Sequence, residues 1–280
     1  GPSAFVTGWP IKHSRSPLIH GHWLKCYGLS GGYEKVATEP DAFVNFITHL
    51  NQSGFIGGNV TLPHKETTFQ CADVSTPTAE RLKAANTVWL QNGQLHADNT
   101  DGYGFLANLD QTLPGWDTTD RLHRPCLILG AGGASRAIVD ALSNRGFSKI
   151  VLANRTLARA ETLLDEIAPT GTAISLNDTQ KMLGEAGVIV NTTSMGMDGN
   201  GLPILMDGIY PKALVTDIVY TPLTTPFLRA AAAQNIETVD GLGMLLHQAV
   251  PGFERWFGVR PKVGSELRQL IVNDLKRPQT

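Results

Sequence analysis

The sequence predicts an α/β protein of two domains, one of them a Rossmann-type doubly wound parallel sheet. Three observations carry this reading. The chain has 280 residues, a length that allows two domains. Past Asp120, six short apolar runs follow one another: "PCLILG", "SKIVLANR", "TAISL", "AGVIVNTT", "ALVTDIV" and "IETVDG". Helix-like stretches such as "ASRAIVDALSNRG" and "LARAETLLDEIA" separate most of them, as expected of strands buried on both faces and joined by crossover helices.

The first third mixes the two element types. "AFVTGWP" reads as a strand stopped by Gly8 and Pro10, and "GYEKVAT" as a second strand. Between them, "SPLIHGHWLKCYG" reads as a helix with Ser16 as N-cap and Pro17 at the first helical position. Ile19, Trp23 and Cys26 would then share its inner face. "DAFVNFITHL" sets Phe43, Phe46, Ile47 and Leu50 at i, i+3, i+4 and i+7, an amphipathic helix. "NTVWLQNGQLHADN" holds Asn-Gly between two apolar stretches, the signal of a hairpin. In the tail, "GMLLHQAVPGFERWFG" and "SELRQLIVNDLKR" read as helices able to pack back on the first third, with Ser265 capping the last. No repeat or low-complexity segment interrupts the chain.

Composition excludes several function classes. Hydrophobic residues make up 42% and charged residues 17%, enough for a packed core. Net charge is −2, so no basic field attracts nucleic acid or an anionic membrane. No apolar run approaches the roughly 18 residues of a membrane span. Gly1-Pro2 reads as a tag remnant, and no signal-peptide pattern follows it, so a cytoplasmic protein is expected. Cys26, Cys71 and Cys126 lack metal spacing and read as buried free thiols. The histidines, among them His13, His20, His22, His64, His123 and His247, show no metal spacing either, so no metal is expected.

Two stretches carry chemistry in the second domain. "LILGAGGASRAIVDAL" follows a strand and opens a helix, the setting of a dinucleotide loop. Gly130 supplies the tight turn and Gly132 the close backbone approach, with Ala131, Gly133 and Ala134 completing the loop. The helix beginning near Ala134 offers its N–H groups to phosphate, and Ser135 stands where the third glycine of the pattern would be. At the end of the next strand, an NAD site usually places a carboxylate against the ribose hydroxyl. Here "LANRTLAR" gives Asn154, Arg155, Thr156 and Arg159. Guanidiniums at a helix start oppose its dipole, and an anionic partner such as a 2′-phosphate resolves that conflict. The reading is NADP(H) in preference to NAD.

The first third adds a second set. "GWPIKHSRSPLIH" brings Ser14 and Ser16 to a helix mouth, where hydroxyls and N–H groups can receive a small carboxylate. Simple capping accounts for Ser16 and poorly for Ser14. "GGNVTLPHKETT" sets one cation, Lys65, just past a glycine-flanked strand.

Taken in order, "GWPIKHSRSPLIH", "GGNVTLPHK", "AANTV", "NTDGYG", "GAGGASRA", "NRT", "NTTSMGM", "DIVYTPLTTPFL" and "DGLGMLLHQA" resemble the shikimate dehydrogenase family nearly end to end. The resemblance implies a substrate domain of residues 1–101 and 241–280, with an NADP domain of 102–240 inserted. It implies substrate binding by Ser14, Ser16, Thr61, Lys65, Asn86, Asp101, Tyr220 and Gln248. It implies cofactor binding by the glycine loop and by Asn154, Arg155, Thr156 and Arg159, together with Thr192, Ser194, Met195, Ile218, Gly241 and Met244. Met195 and Met197 are expected on the nicotinamide side, with core packing as the alternative. The small-molecule substrate would be shikimate or 3-dehydroshikimate, and the protein a monomer or homodimer.

Ketone reduction needs a proton as charge grows on the oxygen, and a cation with a transferable proton meets both demands. Lys65 fits as general acid in reduction and base in oxidation, oriented by Asp101. Which of the two dominates proton transfer stays open, since they can titrate as a coupled pair. Two alternatives remain: a quinate/shikimate dehydrogenase of broader substrate or NAD use, and a non-catalytic sensor of the same fold. Hinges are expected near Gly102–Gly104 and Asp240–Gly243.

Overall fold

A computed structural model describes residues 1–195 and 204–278. In chain order the elements are β1 (Ser3–Gly8), α1 (Ser16–Cys26), β2 (Gly32–Ala37), α2 (Pro40–Thr48), β3 (Phe55–Val60), α3 (Lys65–Cys71), β4 (Val74–Ser75) and α4 (Pro77–Leu82). There follow β5 (Thr87–Gln91), β6 (Gln94–Asp98), α5 (Asp101–Thr112), α6 (Thr119–His123), β7 (Cys126–Leu129), α7 (Gly133–Arg145), β8 (Ile150–Asn154), α8 (Leu157–Ile167) and β9 (Thr172–Ser175). The chain ends with β10 (Val188–Asn191), β11 (Leu214–Asp217), α9 (Pro226–Ala233), β12 (Glu237–Val239), α10 (Leu242–Gln248), α11 (Val250–Phe257) and α12 (Ser265–Leu275). These elements form two compact units, Gly1–Thr100 with Leu246–Thr280, and Asp101–Leu245.

The Asp101–Leu245 unit holds six parallel strands in the order β12-β11-β10-β7-β8-β9. This is the doubly wound order, with its switch point between β7 and β10. Alternate residues serve opposite faces. Cys126, Ile128, Ile150, Leu152, Val188 and Val190 pack on one side, and Leu127, Leu129, Val151, Ala153 and Ile189 on the other. Both faces of the four central strands β7, β8, β10 and β11 are covered, so these read as nearly unbroken apolar runs, whereas the outer strands β9 and β12 are partly exposed. Gly102 lets α5 lie against α7, since a Cβ there would stand 3.0 Å from the Ala137 carbonyl. Gly243 likewise leaves no room for a side chain beside Asn108. Both glycines serve close packing inside this unit.

The other unit holds a mixed sheet in the order β2-β1-β3-β5-β6-β4. β1 pairs parallel with β2 and β3, while β5 runs antiparallel to β3 and β6. The hairpin between β5 and β6 turns at Asn92 and Gly93, with φ of 51° and 75°. Two positive φ values in succession are what an Asn-Gly hairpin turn needs. Ala4 and Phe5 point to opposite faces. Phe5 joins Phe43, Ile47, Val60 and Val88, and Ala4 joins Trp89 and Trp256.

Several local expectations are corrected here. Ser16 is the first residue of α1, and Arg15 occupies the cap position without a side-chain bond. Ser265 similarly opens α12, with Gly264 at the cap. In both helices the cap lies one position ahead of the serine, so the hydroxyl falls inside the first turn. Cys26 is exposed and Cys71 partly buried, leaving Cys126 as the one buried thiol. The buried face of α1 is carried by Ser16, Ile19, His20, Trp23 and Leu24.

Candidate functional site

In the doubly wound unit, β7 delivers the chain into the glycine loop. Thr192, just past β10, donates from both its N–H and its hydroxyl to the Leu129 carbonyl, at 2.9 and 2.6 Å. That pins the two strand ends at the switch point. Gly130 sits beneath them with φ of +104°, where a Cβ would lie 2.6 Å from Thr192 Oγ1. Only glycine combines that φ with that lack of space. Gly132 and Gly133 are open: a Cβ on either would have nothing within 4 Å. Gly132 caps α7 in an extended conformation with no side-chain acceptor, so the first N–H groups of the helix face the loop's open side. Ser135 takes the place of the third glycine and donates from Oγ to the Gly130 carbonyl at 2.5 Å, closing the turn.

β8 ends at Asn154, whose Nδ2 donates to the Thr156 carbonyl at 2.9 Å and turns the chain into α8. Thr156 is the cap of that helix and makes no side-chain cap bond. Arg155, Thr156 and Arg159 are exposed together around this helix start. An Arg155 guanidinium N–H points at the Met195 sulfur at 3.9 Å. Met195 thus stands beside Arg155, one of the arginines expected to hold the 2′-phosphate. Met197 lies outside the described residues.

A polar pair that sequence reasoning missed holds the next two strand ends. Asn191 and Asp217 are register partners across β10 and β11, and Asn191 Nδ2 donates to Asp217 Oδ1 at 3.0 Å. Asp217 also accepts from Val219 N at 3.0 Å and Thr225 Oγ1 at 2.8 Å. Burial pushes the Asp217 pKa up, while its hydrogen bonds from Thr225, Val219 and Asn191 pull it down. Asn191 Oδ1 accepts from Thr193 N and Oγ1, and its carbonyl accepts from Ile218 N at 3.1 Å. Gly241 packs on the Asp217 and Ile218 carbonyls, with no room for a Cβ. Met244 N donates to the Gly241 carbonyl at 3.2 Å. Thr192, Ile218, Gly241 and Met244 are thereby brought to the carboxyl end of this sheet, with Ser194 exposed and Tyr220 half-buried close by in sequence. The signal for Asn191 and Asp217 was a polar residue closing each of two apolar runs.

In the mixed-sheet unit, Thr61 N donates to the Thr7 carbonyl as the chain leaves β3, and the Thr61 carbonyl accepts from His64 N. Lys65 is the first residue of α3, half-buried, and its carbonyl accepts from Ala85 N at 3.0 Å. This sets the Lys65 backbone beside the segment that carries Asn86 and leads into β5. Asn86 is buried in a closed network: its Nδ2 donates to Thr100 Oγ1 at 2.9 Å and to Gln248 Oε1 at 3.4 Å. Its Oδ1 accepts from Thr100 N at 2.9 Å and from Thr87 Oγ1 at 3.0 Å. Thr100 Oγ1 donates in turn to the Gln248 carbonyl at 2.8 Å. Asn86 and Gln248, 162 positions apart, are thus brought together, with Thr100 as an unforeseen linker.

Gly57 and Gly58, the glycines of β3, serve packing. A Cβ on Gly57 would collide with the Trp256 indole and the Val88 carbonyl, and one on Gly58 would stand 2.5 Å from the Phe5 ring. Asn59 is held by Tyr33, whose hydroxyl donates to Oδ1 at 2.6 Å. Ser14 rather than Ser16 acts as a local cap, its Oγ accepting from Ser16 N at 3.3 Å. Ser14 also lines a cationic cavity with Lys12, Arg15, Lys35 and Arg277. His64 is structural: Nε2 lies 2.7 Å from the Thr38 carbonyl, and the ring stacks on Phe43 at 4.1 Å. His20 is fully buried and stacks on Tyr33 at 4.0 Å. Burial drives its pKa down to about 3, the Asn59 amide working weakly the other way. Neither His20 ring nitrogen meets a partner in hydrogen-bond geometry among the described residues. Asp101 opens the doubly wound unit as the first residue of α5, only 8% exposed, at a helix end that favours an acid.

Chemically, one unit offers open backbone N–H groups and exposed guanidiniums at a sheet's carboxyl end. Such a site suits an extended, multiply phosphorylated ligand. The other offers fixed hydroxyls and amides beside an ammonium, suited to a small polyhydroxylated ligand.

Three family models match the chain. Residues 6–88 match the shikimate dehydrogenase substrate binding domain, 118–197 shikimate / quinate 5-dehydrogenase, and 241–265 the shikimate 5′-dehydrogenase C-terminal domain. The shikimate dehydrogenase (NADP(+)) of Mesorhizobium japonicum is 55% identical over 273 residues, which is 97% of this chain and 96% of that protein. The crystal structure of shikimate 5-dehydrogenase from Thermus thermophilus in complex with NADP(H) and shikimate superposes with a TM-score of 0.85. It is 34% identical, and the match covers 98% of this chain and 100% of that one. A quinate dehydrogenase from Corynebacterium glutamicum in complex with NAD gives a TM-score of 0.87 at 27% identity, covering 98% and 99%.

Proposed function

The chain belongs to the shikimate dehydrogenase family, and from that premise we propose that it catalyses the reversible, NADPH-dependent reduction of 3-dehydroshikimate to shikimate. The observation that carries the cofactor preference is the end of β8, where Asn154, Arg155, Thr156 and Arg159 stand together and the stretch 154–159 contains no carboxylate. The NADP(+) named for the Mesorhizobium relative supports the same reading. NADPH, when bound, supplies the hydride. The open backbone at Gly132 and Gly133 and the start of α7 receive its pyrophosphate. Arg155 and Arg159 hold the 2′-phosphate, with Asn154 and Thr156 shaping the turn that presents them.

Residues 1–101 and 241–280 bind substrate in this reading, and 102–240 bind the nucleotide. Ser14 and Ser16 take the carboxylate, with Tyr220 assisting. Thr61, Asn86 and Gln248 fix the ring hydroxyls. Lys65 gives a proton to the ketone oxygen as charge develops on it and takes it back in the oxidation direction. Asp101 orients that ammonium and accepts from a ring hydroxyl. The pre-formed network around Asn86 means that substrate hydroxyls meet groups already oriented, which limits reorganisation in the transition state. The protein works as a soluble cytoplasmic monomer or homodimer. No described helix is long and apolar enough to cross a membrane.

The test is NADPH absorbance in the presence of each substrate and cofactor. Rapid turnover of shikimate with NADP, and weak turnover of quinate or with NAD, is expected. Comparable kcat/KM for quinate with NAD would move the chain to the broader quinate/shikimate reading, and no turnover at all to a sensor.

A further inference from the structure

We propose that His22, Cys26 and Glu266 form a zinc site that staples the first helix of the chain to the last. The site is independent of the reaction proposed above. Among the described residues these three are the only group of His, Cys, Asp and Glu side chains placed to share an ion, with one ligand atom of each within 4.8 Å of the others.

The helices that carry them already form a fixed frame. α1 packs on α12. At the start of α1, Arg15 Nε meets Asp274 Oδ2 near the end of α12 at 3.1 Å. At the other end of α1, Trp23 Nε1 donates to the Lys262 carbonyl at 3.0 Å, and Lys262 N donates to Tyr27 Oη at 2.9 Å. The two helices therefore run antiparallel, and the approach to α12 is tied down beside the end of α1. Glu266, in the first turn of α12, comes up against the last turn of α1 as a consequence. His22 and Cys26 are one helical turn apart, on the same face.

The geometry suits a tetrahedral ion. Zinc bonds of about 2.3 Å to sulfur and about 2.05 Å to nitrogen, at a tetrahedral angle, place the two ligand atoms about 3.6 Å apart. The observed Cys26 Sγ to His22 Nε2 distance is 3.4 Å. The longer approach of Glu266 closes by rotation of an exposed side chain. The charges also match. A thiolate and a carboxylate neutralise a divalent cation, and a neutral imidazole adds a third bond. The mixed S, N, O set fits borderline-soft zinc better than magnesium or calcium. On binding, Cys26 releases its thiol proton to solvent as the metal–sulfur bond forms, and water fills the fourth position. Cys26 is exposed, whereas Cys126 is buried and its thiol pKa is pushed well up. The set is hard to see in the sequence because the third residue comes from the far end of the chain.

The test is Zn²⁺ titration of the metal-stripped full chain by calorimetry, with Co²⁺ as a spectroscopic substitute and Tm as an independent readout. One Zn²⁺ per chain is expected. Co²⁺ is expected to give a thiolate charge-transfer band. Tm should rise on the order of 5 °C at a large excess of metal over Kd. His22→Ala, Cys26→Ser and Glu266→Gln should each weaken zinc by about 10-fold or more. Cys71→Ser should leave binding unchanged, and Cys26→His should retain zinc while losing the cobalt band. Absence of binding, or binding that survives Cys26→Ser and His22→Ala unchanged, overturns the proposal.

Discussion

The two units build their binding surfaces from different material. The doubly wound unit uses backbone: a glycine at φ of +104°, two glycines with open space around them, and the uncapped start of α7. Its side-chain contribution is a few exposed groups after β8. The mixed-sheet unit uses side chains fixed by one another, with Asn86, Thr87, Thr100 and Gln248 in a single buried network. A backbone site tolerates many substitutions but fails when a glycine gains a Cβ or a cation is lost. A side-chain network is less forgiving, because removing one member leaves buried partners unsatisfied.

The largest expected effect sharpens this contrast. Lys65→Ala is expected to lower kcat by about 10³-fold, the scale of a lost general acid, in steady-state NADPH oxidation. A near-normal kcat would remove Lys65 from proton transfer. Next comes Gly130→Ala, in the backbone site. Strain at that φ is worth about 1–3 kcal/mol, and the new methyl meets Thr192 Oγ1. Both a lower Tm and a raised KM for NADPH are expected.

Arg155→Ala comes third. Loss of a charge-assisted contact of ~1.5–3 kcal/mol should raise KM for NADPH about 10-fold or more, with NADH little changed. Equal losses for both cofactors would sink the 2′-phosphate assignment.

The fourth prediction concerns pH. His20 has a folded pKa of about 3 against an ordinary value of 6.5. Its depressed pKa means that the folded state holds the ring neutral, so its stability contribution is present above pH 6.5 and is lost as pH falls from there toward 3. Between about pH 7 and about pH 5 this amounts to about 2 kcal/mol. Denaturant unfolding of wild type and His20→Phe at the two pH values should show the variant's slope flatter by about that amount.

The smallest effect belongs to Asp217. Its folded pKa is raised, chiefly by burial, so the stability it contributes is present below the ordinary value of 3.8 and lost as pH rises through the folded value. Asp217→Asn should lack this acid-side gain, read as a shallower dependence of Tm on pH in that window.

These regions also differ in how they can be read before folding. The four central parallel strands were legible because both faces of each are covered, and the Asn92-Gly93 turn because its conformation is local. The glycine loop and the cations after β8 were legible for the same reason, lying within short continuous stretches. Other features depend on partners far along the chain. Gly57 is small because Trp256 lies on it. Gln248 joins Asn86 across 162 positions. Asn191 and Asp217 meet only when β10 and β11 pair in register. The helix starts at Ser16 and Ser265 were misplaced by one residue because a serine before an apolar run serves equally well as cap or first residue.

The most direct test of a division between proton supply in one unit and cofactor selection in the other is NADPH binding to Lys65→Ala and Arg155→Ala, measured by fluorescence titration. Lys65→Ala should keep a wild-type Kd for NADPH, within about 2-fold, and Arg155→Ala should weaken it about 10-fold or more. Equal weakening by the two substitutions would contradict the account.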